Sequence, residues 1–475
     1  MTATSSADTS ALTLCAEGAM LADAGDAAGA IARYTRAVEL APSVLELHFI
    51  LANAQQLDRR VLDARATLRH ALRVAHRPDA SSEFTLGKAL VDAGAGADAV
   101  ACFRRVHAER PRDAAGAAAL AASLREAQCP EDAWHVLAAA LRLAPADPVV
   151  LATAALIRHD LGDFDGALAW CGKSLAVRPD SSGTRVTRGY LRHLLGDESG
   201  GWSDFESRPL PSTESGAQPW RGESLDGKSI VLLGEQGIGD EFQFLRFMHH
   251  SAVQAADRVI VACHTDAVSL LRASGYNAVP RGEIVFTDYF APLLSLPFIL
   301  GVGSTWRGAG DMYVRVPDAR VRDRTRVRRV GIVWAGNPAH RNDAVRSIPS
   351  GLLHGLLHTH PDIRFVCLQH GVSANDVPTG IVESPPSGDW LSTARQLSKL
   401  DLLISVDTGI AHLAGALGLP VWLLVSHVPD WRWGIIGSST PWYASMRLFR
   451  QPARGDWARV LTNVSAALSG VKVGD

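Results

Sequence analysis

Five prolines, Pro42, Pro78, Pro111, Pro145 and Pro179, punctuate the first part of the chain at spacings of 36, 33, 34 and 34 residues. Each closes an alanine-rich amphipathic stretch, as in GDAAGAIARYTRAVELAP and GDFDGALAWCGKSLAVRP. Gly25, Gly94, Gly162 and Gly196 recur in turns, and Ala30, Ala64, Ala99, Ala133 and Ala167 on the helix that follows. Small residues let paired helices approach closely, while Tyr34, Phe103 and Cys171 fill the space between them. An ordinary helical bundle has no reason to keep such a period. A stack of helix–turn–helix units does, because each unit buries its apolar surface on its neighbours. Five units are counted, with a sixth that ends irregularly at GGWSDFESRP.

This pattern resembles the tetratricopeptide repeat, which implies a solenoid binding peptides or proteins in a concave groove. Nothing in it looks catalytic. Asp163-Phe164-Asp165 matches the Asp-x-Asp pattern by which many sugar transferases hold a metal, but it falls in an inter-helix turn, where Gly-Asp is turn chemistry. With 475 residues, two or three domains are expected. A formal net charge of -2 argues against nucleic acid or an anionic membrane surface as the main partner. Six scattered cysteines without a Cys-x-x-Cys pair argue against a zinc framework and for reduced thiols. With no basic, apolar leader and no span near the roughly 18 residues a membrane helix needs, a soluble cytoplasmic protein is expected.

The period changes after PSTESGAQPWRGESLDGK, a junction at 209–227 that follows the repeats of 1–208. Strands SIVLLGEQ and RVIVACH alternate with helices GDEFQFLRFMHHSAVQA and TDAVSLLRASG. A segment rich in Arg and Asp intervenes. Strands VGIVWAG, IRFVCLQH, DLLISV and PVWLLVS then alternate with helices PSGLLHGLLHTH, DWLSTARQLSKL and GIAHLAGALG. Strand–helix alternation predicts parallel sheets covered on both faces. The expected fold class is thus α + α/β: an α-solenoid, then two Rossmann-like lobes at 228–320 and 321–475. Ligands of such lobes sit at the carboxyl ends of the strands.

Within the second lobe, ISVDTGIAHLAGALGLPVWLL sets Asp407-Thr408-Gly409 between a strand and a helix. Aspartic proteases share Asp-Thr-Gly, but they are all-β and need two such aspartates. Here the triplet meets a helix N-terminus, where unpaired amides and the helix dipole favour a phosphate. Gly409 admits close approach, Thr408 adds a hydroxyl, and His412 lies one turn in. The alternative is a plain N-cap and a packed histidine.

VDTGIAHLAGALGLP resembles the donor-binding segment of the ADP-heptose transferases of glycosyltransferase family 9, which have the GT-B fold. GEQGIGDEFQFLRF is similar to that family's first glycine-rich loop. The whole chain resembles bacterial proteins that fuse tetratricopeptide repeats to such a domain, through VWAGNPAHRNDAVRSIP, PVWLLVSHVPDWRW, STPWY and LFRQPARGDW. The resemblance implies Asp240 as the catalytic aspartate and Asp407, Thr408, Gly409 and His412 as donor site. It also implies a donor-phosphate loop with Asn337, Arg341 and Arg346, an arginine replacing the family's lysine. Gln369 is a candidate for the nucleoside or a strand-end polar residue. Trp431, Trp433, Trp442 and Tyr443 line a site or pack a core.

What the resemblance implies is an inverting, metal-independent glycosyl transfer from a nucleotide-diphosphate sugar, the donor substrate, with no cofactor. Asp240 would serve as general base, or else only as a helix cap. The acceptor would be a protein recruited by the repeats, as in flagellin-like O-glycosylation. Alternatives are a glycan or lipid-linked acceptor, and a catalytically degenerate scaffold.

Overall fold

The structure, a computed structural model, describes residues 6–74, 79–306, 308, 312–317, 329–338, 340, 342–373, 376–381 and 388–470. Pro78, Arg341 and the expected lobe boundary at 320/321 lie outside the described residues. Two compact units are present, Met1–Thr184 and Arg185–Asp475.

The first unit is a helical-repeat array. Consecutive pairs are α1 (Ser6–Asp23) with α2 (Ala27–Leu40), α3 (Leu45–Leu57) with α4 (Val61–Val74), and α5 (Ala80–Asp92) with α6 (Val100–Glu109). Then come α7 (Ala114–Glu126) with α8 (Pro130–Leu143) and α9 (Pro148–Asp160) with α10 (Phe164–Val177). The unit boundary falls inside α11 (Ser182–Leu194). Asp26, Asp79, Asp113, Asp147 and Asp163 each accept a backbone N–H of the helix they precede, which satisfies an amide that the helix itself cannot. Asp163 is therefore a cap of α10. Ala30, Ala64, Ala99, Ala133 and Ala167 are at most 1% exposed. Tyr34, Leu68, Phe103, Leu137 and Cys171, each one turn or so further on, are buried beside them. A Cβ on Gly18 or Gly87 would stand 2.5 Å from Tyr34 or 2.7 Å from Phe103, so these rings occupy the space the glycines leave.

The turn between the helices of a pair requires a left-handed residue. Gly25, Gly94 and Gly162 supply it with φ of 82°, 71° and 78°, but Arg59 and Gln128 hold the same place at 61° and 63°. A side chain in that region costs roughly 1–2 kcal/mol, part of which glycine's greater unfolded freedom gives back. Arg59→Gly and Gln128→Gly are each expected to raise unfolding stability by about 0.5–1 kcal/mol, and Gly25→Ala to lower it by about 1 kcal/mol. Urea melts test this; a destabilised Gln128→Gly would mean the turn is not strained.

The second unit opens with the rest of α11 and with α12 (Glu198–Phe205), capped by Asp197. Residues 185–208, which the repeat pattern assigns to the solenoid, group with the α/β part. Trp202 packs edge-on against Phe244 and Trp431, with centroids 5.7 and 5.6 Å apart. Arg208 forks onto Glu235 at 2.9 and 2.6 Å and reaches Ser295 at 2.9 Å, a buried ion pair with its hydrogen bonds met.

Two five-stranded parallel sheets follow. The first, in spatial order β1-β5-β2-β3-β4, contains β1 (Gln218–Pro219), β2 (Ser229–Leu233), β3 (Arg258–Cys263), β4 (Ala278–Pro280) and β5 (Tyr289–Pro292). Between and after these strands run α13 (Ile238–Phe244), α14 (Ser251–Gln254), α15 (Val268–Ala273) and α16 (Leu296–Leu300). In the second sheet the order is β10-β9-β8-β6-β7, from β6 (Arg329–Val333), β7 (Arg364–Cys367), β8 (Leu402–Val406), β9 (Val421–Val425) and β10 (Met446–Arg450). Its helices are α17 (Asp343–Arg346), α18 (Leu353–Thr359), α19 (Trp390–Leu397), α20 (Gly409–Ala416) and α21 (Trp457–Gly470). Register runs Val231 beside Ile260 in the first sheet and Ile332 beside Ile404 in the second. Val330, Ile332, Phe365, Ile404 and Leu424 form one core with Leu353 and Leu357 of α18 and Val460 and Val464 of α21. Near-continuous apolar strands are what two covered faces demand. The fold is thus α + α/β.

One segment departs from expectation. GDEFQFLRFMHHSAVQA is not a single helix: α13 passes into a 3-10 turn, Leu245–His249, and α14 starts afresh after His250. Residues 241–248 are buried on every side, leaving no solvent face of an amphipathic helix, and the His250 Nδ1 accepts the Ala252 N–H to restart the chain. No described helix is long and apolar enough to cross a membrane.

Candidate functional site

The segments that follow β2, β8 and β9 meet. After β2, Gln236 takes a left-handed φ of 55°, held from behind by Arg281, whose Nη1 donates to its carbonyl at 3.1 Å. The same arginine pairs with buried Glu241, whose oxygens both accept the His264 N–H at 3.0 Å. Strain of this kind persists only where the surroundings impose it. Asp240 is the third residue of α13, and its Oδ2 accepts the Gly237 N–H at 2.9 Å. Its Oδ1 accepts from Arg432 Nη2.

After β8, Thr408 caps α20 without a side-chain cap bond, and its hydroxyl lies 3.3 Å from Ser405. The Thr408 carbonyl takes the Ala411 and His412 amides. The amides of Gly409 and Ile410 are left without a hydrogen-bond partner among the described residues, as expected at a helix start. Gly409 and Gly239 touch: a Cβ on Gly239 would stand 3.2 Å from the Gly409 Cα, and one on Gly409 3.1 Å from Ile238. Glycine at both places is therefore needed for packing between the two loops.

Asp407 is engaged by side chains of the segments that follow β8 and β9. Its Oδ2 accepts from Trp433 Nε1 at 2.9 Å and its Oδ1 lies 3.6 Å from His412 Nε2. Burial alone would raise its proton affinity, but His412, the Trp433 bond and the nearby Arg432 outweigh this and hold its pKa down at about 2. His412 stacks on Trp433, centroids 5.4 Å apart, and its Nδ1 meets the Tyr443 hydroxyl at 3.0 Å. Burial first, then Tyr313, pushes the Tyr443 phenol well above its ordinary value.

After β9, Asp430 caps a short turn, Trp431–Trp433, that points three ways. Trp431 enters the aromatic group with Tyr190, His193 and Trp202. Arg432 reaches Asp240, Asp430 at 2.8 Å and Gln243 at 2.5 Å, with its guanidinium 4.4 Å over Trp431. Burial would weaken its hold on the proton, yet Asp430, Asp240 and Asp407 together raise it. Trp433 completes the link to Asp407 and His412. All four aromatics named from the sequence, Trp431, Trp433, Trp442 and Tyr443, are buried.

The loop after β6 carries the remaining candidates. The Asn337 backbone carbonyl accepts the His340 N–H at 2.8 Å. Arg346 pairs with Asp343 at 3.3 Å and crosses Gly336, whose N–H donates to Ser347 at 2.9 Å. His340, with its pKa lowered first by burial and then by Arg346, also feels Asp407 and Asp430, which places this loop beside theirs. Gln369 stands apart in role. Its Oε1 accepts from Trp334 and Ala335 at 3.1 and 2.9 Å, and its Nε2 donates to Ala335 and His370 at 3.0 and 3.3 Å. It ties the end of β6 to the end of β7, the strand-end polar reading. Among the described residues no group of His, Cys, Asp and Glu is arranged to hold a metal ion.

Arg432 is the residue that sequence reasoning passed over. Its only local sign was an arginine between two tryptophans after Pro-Asp, since its partners on α13 lie 189 and 192 residues away.

No family model matches the chain. The protein is similar to Protein FlbA of Caulobacter vibrioides, 24% identical in an alignment 448 positions long that covers 77% of this chain and 74% of that one. Among solved structures, a tetratricopeptide repeat protein from Parabacteroides merdae is 16% identical, covers 42% of this chain and 82% of its own, and has a TM-score of 0.35. YrrB, a TPR protein with an unusual peptide-binding site, is 18% identical over 37% of this chain and 89% of its own, with a TM-score of 0.29.

Proposed function

We propose that the α/β unit is a GT-B glycosyltransferase that takes a sugar from a nucleotide-diphosphate donor, and that the repeats bring it a protein acceptor. The observation that carries this reading is the meeting of Asp240, on the first sheet's loop, with Arg432 and the α20 N-terminus on the second. Inverting transfer needs a base for the acceptor hydroxyl and positive groups for the departing diphosphate. Asp240 supplies the first. The unpartnered Gly409 and Ile410 amides, the Thr408 hydroxyl and a guanidinium supply the second. Arg346 and the loop of Asn337 stand at the same strand ends.

The test is thermal unfolding of the full chain with UDP, ADP, GDP and dTDP and their sugar conjugates, in the presence of a chelator. At 100 times the dissociation constant a bound ligand stabilises by about 2.7 kcal/mol. Thr408→Val is expected to reduce the shift of the nucleotide that binds; no shift with any of them removes the donor-site reading.

The repeats give a separate prediction. Deleting residues 1–181 keeps α11 and α12, whose Tyr190, His193 and Trp202 pack on Trp431, and should leave nucleotide binding unchanged. Transfer to a protein acceptor should fall at least tenfold, in keeping with lost acceptor docking worth 1.4 kcal/mol or more. Undiminished protein modification by the truncated chain would sink the recruitment role.

A further inference from the structure

One guanidinium answers three carboxylates. Arg432 contacts Asp240 and Asp430 directly and is influenced by Asp407, while Gln243 takes its Nε–H. Before His412 is counted, three acids against one arginine leave this cluster negative. A diphosphate brought to the neighbouring start of α20 would be repelled by Asp240 and Asp430 unless it found a cation of its own. The planar fork of arginine fits two phosphate oxygens as well as it fits a carboxylate. The backbone after Arg432 is fixed: Arg450 donates to the carbonyls of Gly434 and Gly437 at 2.8 Å each, to Ile436 at 3.0 Å, and to Trp433. Movement is therefore left to the Arg432 side chain.

Resting on the proposed transferase reading, we infer that Arg432 is a charge switch: it clamps Asp240 while the donor site is empty and is drawn off by the donor diphosphate. Binding of donor and release of the base are then one event. The freed Oδ1 takes the acceptor hydroxyl proton as the acceptor oxygen bonds to the sugar C1. The C1–O bond to the diphosphate breaks with its electron pair, and Arg432 holds the charge that leaves. Without donor, Asp240 stays paired and the acceptor hydroxyl is not activated, so the order of binding is donor first.

The switch makes an unusual demand on binding: removing the proposed base should help the donor. Titration calorimetry of the full chain with UDP, ADP, GDP and dTDP, against the matching nucleosides, measures this. Asp240→Asn should tighten the diphosphate that binds by on the order of tenfold and leave its nucleoside unchanged. Arg432→Gln should weaken the diphosphate by at least that factor, and Arg432→Lys by less. The Asp240→Asn gain should fall several-fold in the Arg432→Gln background, where only the direct repulsion of the diphosphate by Asp240 is left. A gain just as large in the double variant, or no gain in the single one, overturns the switch while the donor site stands. Should Arg432→Gln not fold, the Asp240→Asn gain measured with and without Arg432→Lys decides the same question. If the wild type binds none of the four diphosphates, the donor reading falls and takes the switch with it.

Discussion

On the proposed transferase reading, Asp240→Asn is expected to lower sugar-transfer turnover by roughly 10²–10⁴-fold, the usual range for loss of a general base, and still to bind the nucleoside diphosphate. The substitution keeps the size of the side chain. An amide oxygen can still accept the Gly237 N–H that Asp240 now receives at 2.9 Å, so the start of α13 should hold. What is lost is the basic oxygen and the ion pair with Arg432. That guanidinium keeps Asp430 and Gln243 as partners, so the melting temperature should move by only a few degrees. Turnover measured at saturating donor separates chemistry from binding. Near-normal turnover per folded molecule in a variant that melts early would make Asp240 a helix cap and nothing more.

Acidification from pH 6.5 to 4.5 weakens the second unit by about 2–3 kcal/mol through His193 alone. This histidine is 7% exposed, with its ring 4.2 Å from that of Trp202 and 4.8 Å from that of Trp431. Burial, then the charge of Arg432, press its pKa down from the ordinary 6.5 to about 3. Between those values the unfolded chain binds a proton that the folded chain refuses. Stability is therefore fully present above about pH 6.5 and falls as pH is lowered toward 3. His193→Phe keeps a ring between the two tryptophans and removes the titration. Urea melts at pH 4.5, 5.5 and 6.5 should give a flatter acid limb in the variant; equal slopes would show that His193 is not protonated on unfolding. The effect reaches the candidate site, because the same Trp431 that stacks near His193 precedes Arg432.

Much of the fold was legible in local pattern. A period near 34 residues, with small residues at fixed places, specifies helix pairs, because a helix can bring its neighbour close only where side chains are short. The alanines read from the sequence are the ones that disappear from solvent. Alternating apolar runs likewise mark the longer parallel strands, since a strand covered on both faces must be apolar throughout. Strands β1, β4, β5 and β10 carried no such run, and α13 to α14 looked like one helix because burial on all sides erases the periodic signal. Asp407-Thr408-Gly409 could be placed at a helix start from chain order alone.

Partners distant in the chain could not be read in this way. Asp240 reads from the sequence as a base or a helix cap; its pair with Arg432, far along the chain, is visible only in the fold. Gln369 seemed as suited to a ligand as to a strand end, and only its four backbone contacts show what it holds. Gly409 reads as admitting close approach of a phosphate, yet it and Gly239 also stand where two loops from different sheets touch. The sequence by itself determined the repeat helices and the six apolar strands β2, β3, β6, β7, β8 and β9, because those choices rest on backbone geometry and on apolar patterns within a few turns. Tertiary structure decided which charges neutralise one another and which glycines are contact points, because a Coulomb or packing energy depends on separation in space and leaves no period along the chain.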